Sequence, residues 1–412
     1  MQILIFIDRF APEERANAQL YYELAKSFID HGHGVGVVTK MPTGYVAAAG
    51  EGGEKIRPLR QEQLDGIRVV RVRGFSTLSR TIWVRAVDHL VAGVTFALAA
   101  RKLPSPDLVL VYSPPLTLAV AASLYQRRTG VPYVLNLHDI YPQTLIDVGL
   151  LRNRFIIYLA EALEAMAYRN SAHIVVPAPG TREFIVERKG VQPQKVDFIP
   201  NWVDTERVLP GPKENGFRKT QGLANRFVVS YAGSMGFGQD LTTVLASARA
   251  LQHRSDIVFL LVGDGVLRRH WEQMAAGLNN IRFLPMQPKE QFFEVLRASD
   301  ICLVPLAGAL NSPAIPGKTQ HIMAVGRPVL AIVNPTGETA KLVHRSQCGL
   351  VARPDQPDEV VDIINQLYRD RDLGDRLGAN GRGYAEKHFS LRNAADGYER
   401  IFEAIRGRIY ER

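Results

Sequence analysis

The sequence predicts an α/β protein built from two doubly wound domains, and three observations carry that prediction. Short runs rich in Val, Ile and Leu alternate with longer stretches whose apolar residues recur at helical spacing, along nearly the whole chain. The strand-like runs are apolar throughout instead of alternating, as expected for a parallel sheet covered on both faces. The alternation stops once, at the turn-rich stretch Pro210-Gly-Pro-Lys-Glu-Asn-Gly, and then restarts. A length of 412 residues agrees, because it exceeds what one ordinary core accommodates.

Taken in order, Gln2 to Ile7 reads as a strand, and Gln19 to His31 as a helix through Leu20, Leu24 and Phe28. Val35 to Thr39 is the next strand, which completes a βαβ unit. There follow the strand LVLVYS after Asp107, a helix through Leu116 to Arg128, the strand YVLNL from Tyr133, a helix near Arg152 to Tyr168, and the strand Ala172 to Val176. Beyond the linker come FVVSYAGS from Phe227, a helix Leu241 to Leu251, and IVFLLVGDG from Ile257. The strands IRFL from Ile281, ICLVPL from Ile301, VLAIV after Pro328 and GLVA from Gly349 complete the second domain. Ala394, Tyr398, Ile401, Phe402 and Ile405 make Leu391 to Arg412 a terminal amphipathic helix. The expected domains are residues 1–205 and 206–390, with 391–412 returning to the first. Two such domains facing each other place a ligand cleft at the carboxyl ends of both sheets.

Hydrophobic content of 46% and charged content of 22% are those of a folded protein. The formal charge of +9 is unevenly placed: Lys55 to Lys102 holds ten basic residues against three acidic ones. Such a patch attracts an anion, and charge alone does not choose among nucleic acid, acidic lipid headgroups and phosphorylated small molecules. Cys302 and Cys348 each lie in an apolar run, read as buried hydrophobes in a reducing compartment, and no zinc spacing exists. The opening MQILIFIDRF lacks the features of a signal peptide, and no window has the uninterrupted apolar length of a spanning helix. The expected location is the cytoplasm, peripheral on a membrane surface.

Six motifs bear on chemistry. In SPAIPGKTQHIMAVGRP, Gly317-Lys318-Thr319 looks like the end of a P-loop, but Ser312 stands where the first glycine belongs. Pro313 and Pro316 would also interrupt the run of N–H donors, so a nucleotide-hydrolysis loop is rejected and Lys318 is left to be explained. The segment VSYAGSMGFG runs from strand into a loop with Gly233, Gly236 and Gly238, where backbone N–H groups can approach a pyrophosphate. Its spacing is not GxGxxG, which disfavours a nicotinamide cofactor. LVGDGV places Asp264 at a strand end, either to contact a nucleoside or to cap the helix beginning near Leu267. NLHDIYPQT places His138 and Asp139 just past a strand, where a histidine can titrate or hydrogen-bond a substrate. Asp370-Arg-Asp372 has the spacing of a DxD metal motif but sits in the charged stretch YRDRDLGDR, and reads as solvated surface. No divalent metal is called for. Finally, Ser79 to Leu103 sets Trp83, Val87, Leu90 and Val94 against Arg80, Arg85, Arg101 and Lys102. That is either a basic amphipathic helix for an anionic bilayer or an ordinary helix on the first sheet.

As a set, YSPPLTLAVAA, NLHDIYPQTLIDVGLL, FIPNWVD, YAGSMG, FLLVGDG, NIRFLP, ASDICLVPL, PGKTQHIMAVGRPVLA and CGLV resemble the retaining glycosyltransferases of family 4. The resemblance is to bacterial members that build O-antigen, capsule and exopolysaccharide repeats, and it runs from about Tyr112 to Val351. It implies the GT-B fold of two Rossmann-like domains, a nucleotide-diphosphate sugar held by the C-terminal domain, an acceptor held by the N-terminal domain, and no metal or cofactor. It implies that Gly233, Ser234, Gly236, Gly263, Asp264 and Gly265 line the donor site. Lys318 would face the diphosphate, and His138 with Asp139 the transferred sugar.

The sequence departs from the family pattern in several places. Two glutamates eight positions apart often flank this lysine, and Pro313 and His321 stand there instead. A neutral imidazole accepts one hydrogen bond where a carboxylate accepts from both ribose hydroxyls, so Glu338 is a candidate to reach the same site. Ser234 and Gln239 replace the cations of the other phosphate loop, and the N-terminal loop offers Arg15 and Asn17 to an anionic acceptor. The expected function is transfer from a UDP-sugar, or less favourably a GDP-sugar, to a lipid-diphosphate-linked saccharide at an anionic membrane surface, with Arg80, Trp83 and Arg85 as further contacts and no role for nucleic acid. The alternatives are a sugar-nucleotide epimerase on the same fold and a non-catalytic subunit of a polysaccharide assembly.

Overall fold

The computed structural model describes residues 1–13, 16–42, 58–73, 91, 93–147, 149–308 and 315–410. The chain divides into two compact units, Met1–Pro200 with Leu391–Arg412, and Asn201–Ser390.

In the first unit the strands are β1 (Gln2–Phe6), β2 (Gly34–Lys40), β3 (Leu59–Leu64), β4 (Ile67–Val72), β5 (Leu108–Ser113), β6 (Tyr133–Leu137), β7 (His173–Val176) and β8 (Val196–Phe198). They form one sheet in the order β3-β4-β2-β1-β5-β6-β7-β8, parallel except for the β3-β4 pair. The inner strands are apolar because both faces are covered, and β5, β6 and β7 are buried at every position. On one face the helices Thr117–Thr129 and Arg154–Asn170 pack side by side. The helix Ala16–Asp30 packs against the terminal helix Leu391–Tyr410, where Phe28 meets Tyr398 and Phe402 with ring centroids at 6.3 and 5.6 Å. The Asn136 amide, at the heart of β6, donates to the hydroxyls of Tyr21 and Tyr398 and ties that helix into the buried interior.

The β3-β4 hairpin was not foreseen. Its strands mix charged and apolar residues, and the turn is Asp65-Gly66, with φ of 47° and 86°. This is the two-residue loop whose twist suits an antiparallel pair, and the Asp-Gly dipeptide is its sequence signal. The hairpin also corrects the reading of the basic patch. Arg71 is 1% exposed, donating from Nε to Glu62 at 2.6 Å and from Nη2 to the Ala11 carbonyl, so its charge is spent internally. Arg60, Arg68 and Arg73 remain exposed.

The second unit holds β9 (Phe227–Ala232), β10 (Ile257–Val262), β11 (Ile281–Leu284), β12 (Ile301–Pro305), β13 (Val329–Ile332) and β14 (Gly349–Ala352). Their order, β11-β10-β9-β12-β13-β14 and all parallel, is the 3-2-1-4-5-6 arrangement of a dinucleotide-type fold. Strand order reverses between β9 and β12, so the loops leaving those two strands cannot fill the crevice above them, and a ligand can. Cys302 and Cys348 are buried free thiols, each pushed up to about 11 by burial. Asp370 caps the helix Arg371–His388, accepting from the Leu373 N–H at 2.8 Å. The DxD spacing is thus a helix start on the surface.

Candidate functional site

Two loops meet backbone to backbone at the carboxyl end of the second sheet. The Gly233 N–H donates to the Val262 carbonyl at 2.9 Å and the Met235 N–H to the Asp264 carbonyl at 2.8 Å. A Cβ on Gly263 would lie 1.9 Å from the Gly233 oxygen, and one on Gly265 would lie 2.2 Å from the Met235 oxygen. Both glycines also hold φ near +157°, which side chains rarely tolerate. Their glycine identity is therefore set by loop packing. Gly236 differs: a Cβ there would meet nothing nearer than Ser234 Oγ at 4.0 Å, and one on Gly317 would meet nothing within 4 Å. The fold does not require a glycine at these two positions.

Lys318 stands in the first turn of the helix Gly317–Ala324, which leaves the loop after β12. Its ammonium donates to Gln239 Oε1 at 2.9 Å and lies 4.0 Å above the centre of the Tyr231 ring. A Cβ on Gly233 would come within 3.1 Å of the same nitrogen, so Gly233 makes room for it. The Tyr231 hydroxyl donates to the Ser234 carbonyl and, at 3.4 Å, to Gln239, fixing both the loop and the partner of Lys318. Burial pushes Lys318 down to about 7. Among the described residues it has no carboxylate partner. An anion placed here would meet a cation with no competing counter-charge, at the positive end of a helix.

His321 lies one turn further along, between Phe292 and Phe293, with ring centroids 5.7 and 5.6 Å away and near-perpendicular planes. Burial, with a smaller contribution from Lys289, pushes it down to about 4, so it is neutral at ordinary pH. Glu338 opens the helix Glu338–Ser346 and pairs with Lys341 at 2.8 Å. No contact among the described residues joins it to Lys318 or His321. Asp264 is exposed and accepts from the Gly265 N–H at 2.7 Å. It does not cap the next helix, Arg268–Met274, whose preceding residue is Leu267 with no side-chain cap. Arg268 instead braces the loop from beneath, donating to the carbonyls of Gly263 at 2.7 Å and Leu284 at 3.3 Å.

In the first unit a second polar cluster sits past β5 and β6. The His138 ring lies 4.8 Å from that of Tyr112 and 6.3 Å from that of Tyr21. Burial pushes His138 down to about 4 and raises Asp139. Burial, then the charge of Asp139, holds the Tyr112 hydroxyl well above its usual range, and Asn17 hydrogen-bonds to it. The cluster is a set of neutral donors and acceptors beside a carboxyl group that resists ionisation.

With this geometry in place, comparison with known proteins is decisive for the family. The model described as "Glycosyl transferase 4-like domain" matches residues 18–202, and "Glycosyl transferases group 1" matches residues 226–370. The chain belongs to glycosyltransferase family 4. WcaI of Escherichia coli (strain K12), named for glycosyl transfer in colanic acid biosynthesis, is 25% identical over 405 residues, covering 95% of this chain and 97% of its own. WbjE of Pseudomonas aeruginosa, named as a glycosyltransferase, is 26% identical over 291 residues, covering 69% of this chain and 71% of its own. The sucrose-phosphate synthase of Thermosynechococcus elongatus superposes with TM-score 0.77 at 15% identity, covering 98% of this chain and 99% of that one. Anabaena Alr3699/HepE, solved in complex with UDP-glucose, gives TM-score 0.73 at 16% identity, covering 98% and 100%. The fold is GT-B, with its two Rossmann-like domains.

For this glycosyltransferase, the structure brings Gly233, Ser234, Gly236, Gly263, Asp264, Gly265, Lys318 and His321 to the carboxyl end of one sheet. His138, Asp139 and Asn17 come together in the other unit. Arg15, Arg80, Trp83 and Arg85 lie outside the described residues, as do Ser312 and Pro313. Sequence reading overlooked Tyr231, which looks like one more core residue in an apolar strand, and Arg268, whose partners are carbonyls that no motif advertises. Gln239 was noticed only as a missing cation, yet it is the residue that holds Lys318.

Proposed function

We propose that the enzyme transfers a sugar, with retention and without a divalent metal, from a nucleotide-diphosphate sugar to a lipid-linked saccharide in bacterial surface polysaccharide synthesis. The donor is a UDP-sugar, with a GDP-sugar less favoured, bound in the second unit, and the acceptor belongs to the first. The observation that carries this reading is Lys318: an ammonium without a carboxylate partner among the described residues, at a helix start, beside a glycine loop at the strand-order reversal. The named ligands of Alr3699/HepE, UDP and UDP-glucose, support the donor class, and the colanic acid assignment of WcaI supports the pathway class.

As the bond from the anomeric carbon to the phosphate oxygen breaks, negative charge grows on the diphosphate and the sugar becomes oxocarbenium-like. Lys318 and the N–H groups of the Gly236 and Gly317 segments would stabilise that charge, the kind of contribution that is usually the largest in such transfers. The acceptor hydroxyl attacks from the leaving-group face, its oxygen bonds the anomeric carbon, and its proton passes to the departing phosphate. His138, held neutral, would hydrogen-bond the transferred sugar, and Asp139 would hold it in place.

The test incubates the enzyme with UDP- and GDP-sugars in EDTA, with and without lipid-linked saccharides, and follows nucleotide release and the anomeric signal of the product. Acceptor-dependent release of UDP with an axial donor giving an axial product is expected. An isomerised sugar nucleotide, an inverted product, or no binding of any donor overturns the proposal.

A further inference from the structure

The helix Arg154–Asn170 has two apolar faces where a helix lying on a sheet needs one. Leu163, Ala167 and Tyr168 face the interior, as the fold requires. Phe155, Tyr158, Leu159 and Ala162, spaced i, i+3, i+4 and i+7, face outward. Phe155 is 69% exposed, Tyr158 67%, Leu159 50%, and Leu150, just before the helix, 66%. Burial of the helix inside its own unit does not account for this second stripe, and scattered surface hydrophobes would not share a face.

The charge around the start of the stripe is basic, and Glu161 is the one exposed acidic residue within its span. Arg152 and Arg154 flank it, both exposed, and neither pairs with a carboxylate among the described residues. On the same side of the sheet, the helix over 93–99 exposes Val94 and Leu98, whereas the exposed Arg101 and Lys102 at its far end lie toward the amino edge of the sheet, away from Arg152 and Arg154. It packs by Gly93 against the start of the helix Thr117–Thr129, the neighbour of Arg154–Asn170. An apolar stripe with large aromatic side chains and a basic margin matches a surface that is greasy below and anionic above. The start of Arg154–Asn170 also lies at the carboxyl end of the sheet, reached from His138 through residues 139–153, which include the short helix Gln143–Asp147.

We propose that the outward face from Leu150 to Ala162 docks on an anionic bilayer, with Phe155, Tyr158 and Leu159 in the interface and Arg152 and Arg154 among the headgroups. This surface would hold the carboxyl edge of the first unit's sheet, with His138 and Asp139, at the level where a lipid-linked saccharide leaves the membrane. The proposal builds on the lipid-linked acceptor of the preceding section. Vesicle binding is read without donor or acceptor, however, so either idea can fail alone.

Flotation of the full chain with vesicles of phosphatidylcholine alone, or with phosphatidylglycerol added, tests it. The wild type is expected to float with the anionic vesicles. The triple variant F155S/Y158S/L159S is expected to lose at least ~10-fold in partitioning, and R152E/R154E to lose a similar factor, with a steeper dependence on salt in the wild type. These positions are exposed, so unchanged thermal unfolding and donor binding serve as the folding control. Wild type that does not float, or a triple variant that floats as well as wild type, overturns the proposal. A triple variant that turns a dimer into a monomer in sedimentation assigns the face to a second copy of the chain instead, and overturns it as well.

Discussion

Replacing Lys318 by Gln or Ala tests the donor site most directly. The ammonium lies 2.9 Å from Gln239 with no counter-charge among the described residues, and burial holds its pKa at about 7. A unit charge about 4 Å from a diphosphate charge contributes roughly 4 kcal/mol at an effective dielectric near 20. Because the lysine is partly open to solvent, about 2–4 kcal/mol is a fair range, or roughly 30- to 1,000-fold in kcat/KM. A proton linkage should accompany the loss. In the free protein the lysine is half neutral near pH 7, and the diphosphate draws the proton on, so donor binding takes up protons. Donor Kd should rise as pH increases above about 7, and titration calorimetry in buffers of different ionisation enthalpy should detect a fraction of a proton bound per donor. In Lys318→Gln both the pH slope and the buffer dependence should vanish. Activity within threefold of wild type, or an unchanged proton uptake, would refute the reasoning.

Two further outcomes follow from the same region. Gly263→Ala should lower Tm sharply or abolish soluble expression, because its Cβ would sit 1.9 Å from a carbonyl oxygen at a positive φ; Gly236→Ala should leave Tm unchanged and raise donor Kd, so thermal unfolding and calorimetry on the two variants separate packing from ligand approach. His321 is held down at about 4, against roughly 6.5 in the unfolded chain, so the unfolded state takes up its proton first as pH falls. Stability should be full above pH ~6.5 and decline toward pH 4, and His321→Gln should flatten that decline by on the order of 1 kcal/mol in urea unfolding curves.

Much of the architecture was visible in residue pattern, for a physical reason. Strands such as LVLVYS and YVLNL are buried on both faces, so they cannot carry polar residues at every second position, and unbroken apolar runs mark them. The hairpin Leu59–Val72 was missed because it lies at the sheet edge, where one face is wet and charged residues are tolerated; only Asp65-Gly66 announced it. Glycine loops were legible as glycine loops, but their purposes were not. Gly263 answers to a neighbouring carbonyl, while Gly236 meets no described atom nearer than 4.0 Å, and that difference exists only once two distant segments are brought together. The same limit hid the outward stripe on Arg154–Asn170: a run such as FIIYLAEALEAM looks like a core helix, and only exposure separates the face that is covered from the face that is not.

The return of the terminal helix to the first unit has a consequence for synthesis. Asn136 and Tyr21 wait for Tyr398, so the interior of the unit that starts the chain is completed by residues that leave the ribosome last. Between Pro200 and Leu391 the whole of the other unit emerges, at bacterial elongation rates a matter of roughly ten to forty seconds. The unit that begins second can close on itself first. The unit that begins first spends that interval with its Ala16–Asp30 helix uncovered along the seam that Tyr398 and Phe402 will fill.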